Sequence, residues 1–203
     1  MSKYKIINKK TCTIDKIVKI EDGCIIYPNN TILGNTILKK ECILYPGNVI
    51  IDSVIMQKSI IKCSFIEKSV INAQCTIGPF ANLREKNNVG KKCRIGNFCE
   101  LKNCTIGDET KVSHMSYLGD IDIGKKCNIG AGVIVANYDG KTKHHSTIGD
   151  NVFVGCNCNI ISPIKIANNT FLCAGTTLTK NTNKGDFVIG RVRESIKPSK
   201  ISI

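Results

Sequence analysis

Ile77-Gly78-Pro79-Phe80-Ala81-Asn82-Leu83 opens the stretch that decides the fold. Six residues separate Ile77 from Leu83, and six more lead to Val89, then Ile95, then Leu101. The count resumes at Ile106, Val112 and Leu118, and again at Ile123, Ile129 and Val135, with a step of five at each change of phase. Beyond a break it continues through Ile148, Val154, Ile160, Ile166, Leu172 and Leu178. Toward the N-terminus it runs through Ile14, Ile20, Ile26, Ile32, Leu38, Leu44 and Ile50, and only residues 51–76 are ragged. A period of six suits neither an α-helix nor a long flat strand. It suits a triangular coil in which each side turns one aliphatic inward and then bends. Three such sides make one coil, and stacked coils pair their backbones at about 4.8 Å per layer. Because one coil cannot bury its own apolar stripe, stability must come from stacking. The expected fold is therefore all-β, a parallel β-helix of about nine coils and about 40 Å in height. Glycine often follows the marked aliphatic, as at Gly78, Gly90, Gly96 and Gly130, which predicts small residues where the backbone bends.

The period breaks between about residues 136 and 147, a polar, basic, glycine-bearing stretch that must leave the prism as a loop. Loops on rigid scaffolds commonly carry function. The repeats occupy about residues 14–180 of a domain expected over 1–193, and residues 194–203 form a basic tail.

The chain has 203 residues, with Lys+Arg 29 against Asp+Glu 16 and a formal charge of +13. Basic residues are spread through turn-like segments, Trp is absent and aromatics are 5%, which disfavours nucleic acid and favours a small phosphorylated ligand. No apolar run approaches the length of a spanning helix, and the N-terminus lacks an apolar signal segment, so a cytoplasmic protein is expected. Twelve cysteines contain no C-x-x-C pair. They recur in contexts such as Lys92-Cys93-Arg94-Ile95, which reads as core filling by a small apolar side chain.

Three histidines are available as a base: His114, His144 and His145. His114 lies within a hexad, on the wall, and a base held rigidly is the better catalyst. Arg84 and Lys102 lie one coil apart and so stack on the same side, an arrangement that anticipates an anion.

Five blocks stand outside the simple repeat. They are Gly78-Pro79-Phe80-Ala81-Asn82-Leu83-Arg84, Gly96-Asn97-Phe98-Cys99-Glu100-Leu101-Lys102-Asn103, Ser113-His114-Met115-Ser116-Tyr117-Leu118-Gly119-Asp120, Asn128 through Lys143, and Ile189-Gly190-Arg191-Val192. In this order and spacing the chain resembles the acetyltransferase domain of the bacterial bifunctional enzymes that make UDP-N-acetylglucosamine, within the hexapeptide-repeat acyltransferase superfamily. The resemblance implies a left-handed β-helix, a homotrimer with sites between subunits, acetyl-CoA as co-substrate with no metal needed, and glucosamine 1-phosphate as acceptor. It implies His114 as catalytic base and Glu100 as the group orienting it. It places Arg84, Lys102, Tyr117, Asn128 and Lys143 on the sugar phosphate, and Ala131, Asn137, Tyr138, Cys156, Ala174 and Arg191 along acetyl-CoA. Cys156 stands where the family usually has serine, and Asn82 where it commonly has arginine. The family's nucleotidyltransferase domain has no counterpart in the sequence, so a separate uridyltransferase is expected to use the product. Another amino sugar, free or nucleotide-linked, is the alternative acceptor. A zinc hydratase on the same scaffold would need three suitably spaced histidines, and His144 and His145 are adjacent. A non-catalytic assembly role sits poorly with an intact His114, Asn137, Tyr138 and Arg191 set.

Overall fold

A computed structural model describes residues 4–197; the last six residues of the expected basic tail lie outside the described residues. The strands wind into a triangular prism whose strand pairings are all parallel, with one short 3-10 turn at Lys9–Thr11. The first face has eleven strands, from Lys5–Ile6 to Phe187–Val188. The second and third faces form one sheet of seventeen. They merge because Glu100–Ile106 and Tyr117–Ile123 run round the corner between them. Coils therefore extend beyond the expected limits at both ends. The prism has about ten of them rather than nine, and stands about 48 Å tall.

One inward aliphatic per side builds a single core stripe. In residues 51–76, where the period had looked ragged, the stripe continues through Ile55, Ile61, Ile66 and Ile71, all at 0% exposure. Steps of five between Ile50 and Ile55, and between Ile61, Ile66 and Ile71, hide it from a count of six. Each shortened step tightens a corner by one residue without turning the next aliphatic outward.

Two residues before each inward aliphatic, the chain points inward again, as strand alternation demands, but only a small side chain fits the corner. Cys24, Cys42, Cys75, Cys93, Cys99, Cys104, Cys127 and Cys158 all occupy this slot and are buried. Their thiols donate to carbonyls one coil on: Cys75 to Gly90 at 2.9 Å, Cys93 to Gly107 at 3.1 Å, Cys104 to Leu118 at 2.9 Å. Asn30, Asn48, Thr110 and Ser116 fill the same slot with stronger donors. Burial pushes the Cys104 thiol up to about 12, so it stays protonated, a donor and not a nucleophile.

Gly78 apart, whose own φ is 89°, the bend is not made where the glycines follow the aliphatics. It falls two residues later, where Phe80, Phe98 and Met115 take left-handed φ of 57, 55 and 48°, each closed by a backbone bond to the coil below, such as Met115 N–H to Asn97 O at 2.9 Å. Gly96 serves clearance instead. A Cβ there would strike the Ser113 carbonyl of the next coil, so only glycine lets those two coils settle together.

All twelve cysteines are free. A thiol reagent should modify exposed Cys156 rapidly, the half-buried Cys12 and Cys63 slowly, and the nine buried thiols only after denaturation. Rapid native labelling of many thiols, counted by mass spectrometry, would contradict this core.

Candidate active site

Corner geometry places one residue of each coil, two after the inward aliphatic, in a vertical column between the first and second faces. Ascending, that column holds Asn97, His114, Ala131, Cys156 and Ala174. Asn97 and His114 are in direct register, and Asn97 Oδ1 lies 2.6 Å from His114 Nδ1. Above His114 the column carries only small side chains. Backbone bonds lock it, with Asn157 N–H on Ala131 O at 2.7 Å and Gly175 N–H on Cys156 O at 2.8 Å. Arg191 closes the top, its Nη1 donating to Ala174 O at 3.0 Å. Four of the six expected carrier-binding residues thus line one track that starts at the expected base.

The second face spreads from this column. Arg84, Lys102 and Gly119 lie in register in successive coils, as do Asn82, Glu100, Tyr117 and, above them, Ile134. The stacked cations are present as expected, but each has an acid. Arg84 Nη2 and Nε donate to Glu100 Oε1 at 2.7 and 2.8 Å, which raises the arginine above its ordinary value, and Lys102 Nζ lies 3.5 Å from Glu85. Glu100, the expected partner of the imidazole, is therefore the partner of Arg84. Asn97 is the side chain on His114.

Gly119 explains how Tyr117 lies. A Cβ on Gly119 would come within 2.6 Å of the Tyr117 hydroxyl and 2.8 Å of Asn137 Nδ2. The tyrosine ring therefore crosses the face into room that only glycine leaves, and its hydroxyl ends near the Asn137 amide.

The excluded loop stands at the corner between the second and third faces and is well formed. Asp120 clamps its root, with Oδ2 accepting from Asn137 Nδ2 at 2.6 Å and Oδ1 from Asn103 Nδ2 at 2.7 Å. Asn137 O in turn accepts from His144 N–H at 2.7 Å. Asp139 makes the turn. The Thr142 N–H, then His144 and the Lys141 N–H, hold its carboxyl well below the usual carboxylate range. His144 and His145 are thus engaged with Asp139 and Asp122 at 2.8 and 3.1 Å. Tyr138 is exposed, and a bridge between Tyr138 and Lys143 closes the loop.

Beneath the loop is a cavity of about 460 Å³ lined by Lys68, Glu85, Lys86, Lys102, Asn103, Asp120 and Lys143. Lys102, only 14% exposed, interacts with Lys143 here, which lowers Lys143 below the ordinary lysine value and raises Lys102 above it. An anion bound between two such lysines would relieve their like-charge repulsion.

The expected site residues thus fall into two groups on opposite edges of the second face. His114, Ala131, Cys156, Ala174 and Arg191 lie at one corner; Arg84, Lys102, Asn137, Tyr138 and Lys143 lie toward the other, with Glu100 and Tyr117 between. Asn128 joins neither. It sits on the first face between Lys111 and Phe153, beside a recess lined by Lys92, Glu109 and Lys126. Asn97, Gly119, Asp120, Lys68 and Lys86 were not anticipated, although an offset of one coil from His114, Lys102 or Asn137 could have pointed to Asn97, Gly119 and Asp120.

Residues 145–180 match the family described as bacterial transferase hexapeptide (six repeats), and residues 66–139 match the GMPPB C-terminal domain. The bifunctional protein GlmU of Clostridium novyi (strain NT) is 46% identical over 93% of the chain, and that of Clostridium beijerinckii 44% over 93%. The chain belongs to the hexapeptide-repeat acyltransferases. It spans 41–42% of the length of those relatives. In architecture this hexapeptide-repeat chain is similar to Francisella novicida UDP-N-acetylglucosamine acyltransferase, with a TM-score of 0.63 at 15% identity, covering 85% of this chain and 62% of that one. It is also similar to the Campylobacter jejuni UDP-N-acetylglucosamine acyltransferase, with a TM-score of 0.56 at 18% identity, covering 89% and 69%. Those likenesses make the β-helix left-handed, as the resemblance implied.

If the lysine cavity is an anion site, millimolar phosphate should raise the thermal midpoint by mass action, and Lys143→Ala should remove most of that rise. An equal rise in both proteins would place the anion elsewhere.

Proposed function

We propose that the chain transfers acetyl from acetyl-CoA to the amine of glucosamine 1-phosphate, giving N-acetylglucosamine 1-phosphate. The observation that carries this reading is the column of Ala131, Cys156 and Ala174 rising from His114 at one edge of the second face, whose other edge carries a lysine-lined cavity. A pantetheine arm needs a narrow track without bulky side chains, and a sugar phosphate needs paired cations. The 46% identity to GlmU over nearly the whole chain supports the same substrates.

In this mechanism the neutral sugar amine attacks the thioester carbonyl carbon. His114 Nε2 takes the proton that the new N–C bond releases, and the C–S bond breaks as the tetrahedral intermediate collapses. The coenzyme leaves as thiolate and regains a proton. Positioning does much of the rest. Lys102, Lys143 and Arg84 fix the phosphate, the Arg84 guanidinium exchanging part of its Glu100 contact for the ligand, and Tyr117 lies against the sugar. Asn137 and Tyr138 border the thioester, and Arg191 faces the coenzyme's nucleotide.

A homotrimer supplies what one chain separates. Asn128, on a different face from Lys102, would serve a site on a neighbouring copy, and the carrier column and loop of adjacent copies would close one site. The strands of the β-helix run from Lys5 to Val188. Free thiols throughout suit the cytoplasm, where acetyl-CoA is available and a separate uridyltransferase would consume the product. Lys68 and Lys86, exposed where they line the same cavity, would favour a nucleotide-linked amino sugar if a second phosphate reached them.

An acetyl-CoA consumption assay should show turnover with glucosamine 1-phosphate well above glucosamine and glucosamine 6-phosphate. A preference for a nucleotide-linked amino sugar would replace the acceptor in this reading. His114→Ala should lose about 10² or more in turnover with folding and mass in solution unchanged; near-normal rates would remove His114 as base. Arg84→Ala should raise KM for the sugar phosphate about tenfold or more, as expected for lost charge-assisted bonds, and leave KM for acetyl-CoA nearly unchanged. An equal rise for acetyl-CoA would mean that Arg84 serves the coenzyme instead.

A further inference from the structure

Asn97 belongs to none of the roles described so far, yet its amide oxygen is the polar side-chain group on the imidazole of His114, at 2.6 Å. We propose that Asn97 is the positioning residue of the reaction, setting the tautomer and the aim of His114; this rests on His114 being the base. An amide oxygen can only accept a hydrogen bond. Nδ1 must therefore carry the proton, which leaves the Nε2 lone pair free on the opposite side of the ring. The other tautomer, with Nε2 protonated, has no base to offer at that atom and loses the bond to the Asn97 oxygen.

Three features hold the pair in place. Asn97 and His114 are register partners at the ends of Arg94–Asn97 and Lys111–His114. The residues that follow them, Phe98 and Met115, take the same left-handed turn, and the Met115 N–H binds Asn97 O at 2.9 Å. Gly96 removes the Cβ that would hold the two coils apart at the Ser113 carbonyl. The ring of His114 is exposed to solvent on its column, so the wall does not wedge it; the Asn97 bond is what restricts its rotation. Glu100, by contrast, turns its Oε1 to Arg84.

Asn97→Ala removes the acceptor and Asn97→Asp restores one. Turnover of Asn97→Ala should fall about tenfold to a hundredfold, the scale seen when an orienting partner is lost from an imidazole. KM for both substrates should stay close to that of the unaltered protein, because the bond matters in the transition state. Asn97→Asp should recover most of the loss. A direct reading comes from the ¹⁵N shifts of the ring nitrogens, resolvable because the chain has three histidines. His114 should be protonated at Nδ1 in the unaltered protein and in Asn97→Asp, and should shift toward the other tautomer in Asn97→Ala. An Nε2-protonated His114 in the unaltered protein, or turnover in Asn97→Ala equal to the unaltered value while His114→Ala is inactive, would overturn the role of Asn97. Full turnover in His114→Ala would instead overturn the base itself, which separates the two failures.

Discussion

Everything in this molecule depends on the backbone hydrogen bonds that lock each coil to the next in register. A parallel pairing repeated through about ten coils turns a sequence offset into a spatial column. Residues sixteen to eighteen apart within the repeat become vertical neighbours, whether they are aliphatics in the core, thiols in a corner or candidate site residues outside. The inward ladder of Ile, Leu and Val supplies the burial that keeps the coils together, and corner slots filled by Cys, Asn, Ser and Thr tie one coil to the carbonyls of another. Function uses the same rule. His114 acquires its partner from the coil below and its track of small side chains from the coils above.

Where the repeat is regular, the sequence disclosed the fold almost completely, because a six-residue period has no competing secondary structure. It concealed the coils between Ile50 and Ile77, where five-residue steps break the count while leaving every isoleucine pointing inward. It also misdirected the role of the glycines. Their position after the aliphatic suggests a bend, but the constraint at Gly96 comes from the carbonyl of another coil, which no local pattern reveals.

For the site, the motif blocks suggested a chemistry and left the pairings open. His114, Arg84 and Lys102 stood out as candidates because their residue types and spacing suit base and anion chemistry, and Lys143 came from the resemblance. That Glu100 belongs to Arg84 and Asn97 to His114 depends on side-chain direction across a face. Glu100 and His114 sit in adjacent coils but on different sides of a corner, whereas Asn97 and His114 share the same place in their coils. Likewise Gly119 reads as one more hexad glycine, yet it is the absence of a side chain there that lets the Tyr117 ring lie across the face toward Asn137. The thiol of Cys156, unlike the buried thiols, is exposed on the column, where a serine would be the more usual small polar group.

The central claim is that the column above His114 receives the acyl carrier while the lysine cavity at the opposite edge of the face receives the anion. Titrating coenzyme A into the unaltered protein and into Ala131→Leu tests this most directly, with phosphate stabilisation measured alongside. A leucine in the track should weaken coenzyme A binding by tenfold or more, about 1.4 kcal/mol, and leave the phosphate effect unchanged. Coenzyme A bound equally well by both proteins would contradict the account.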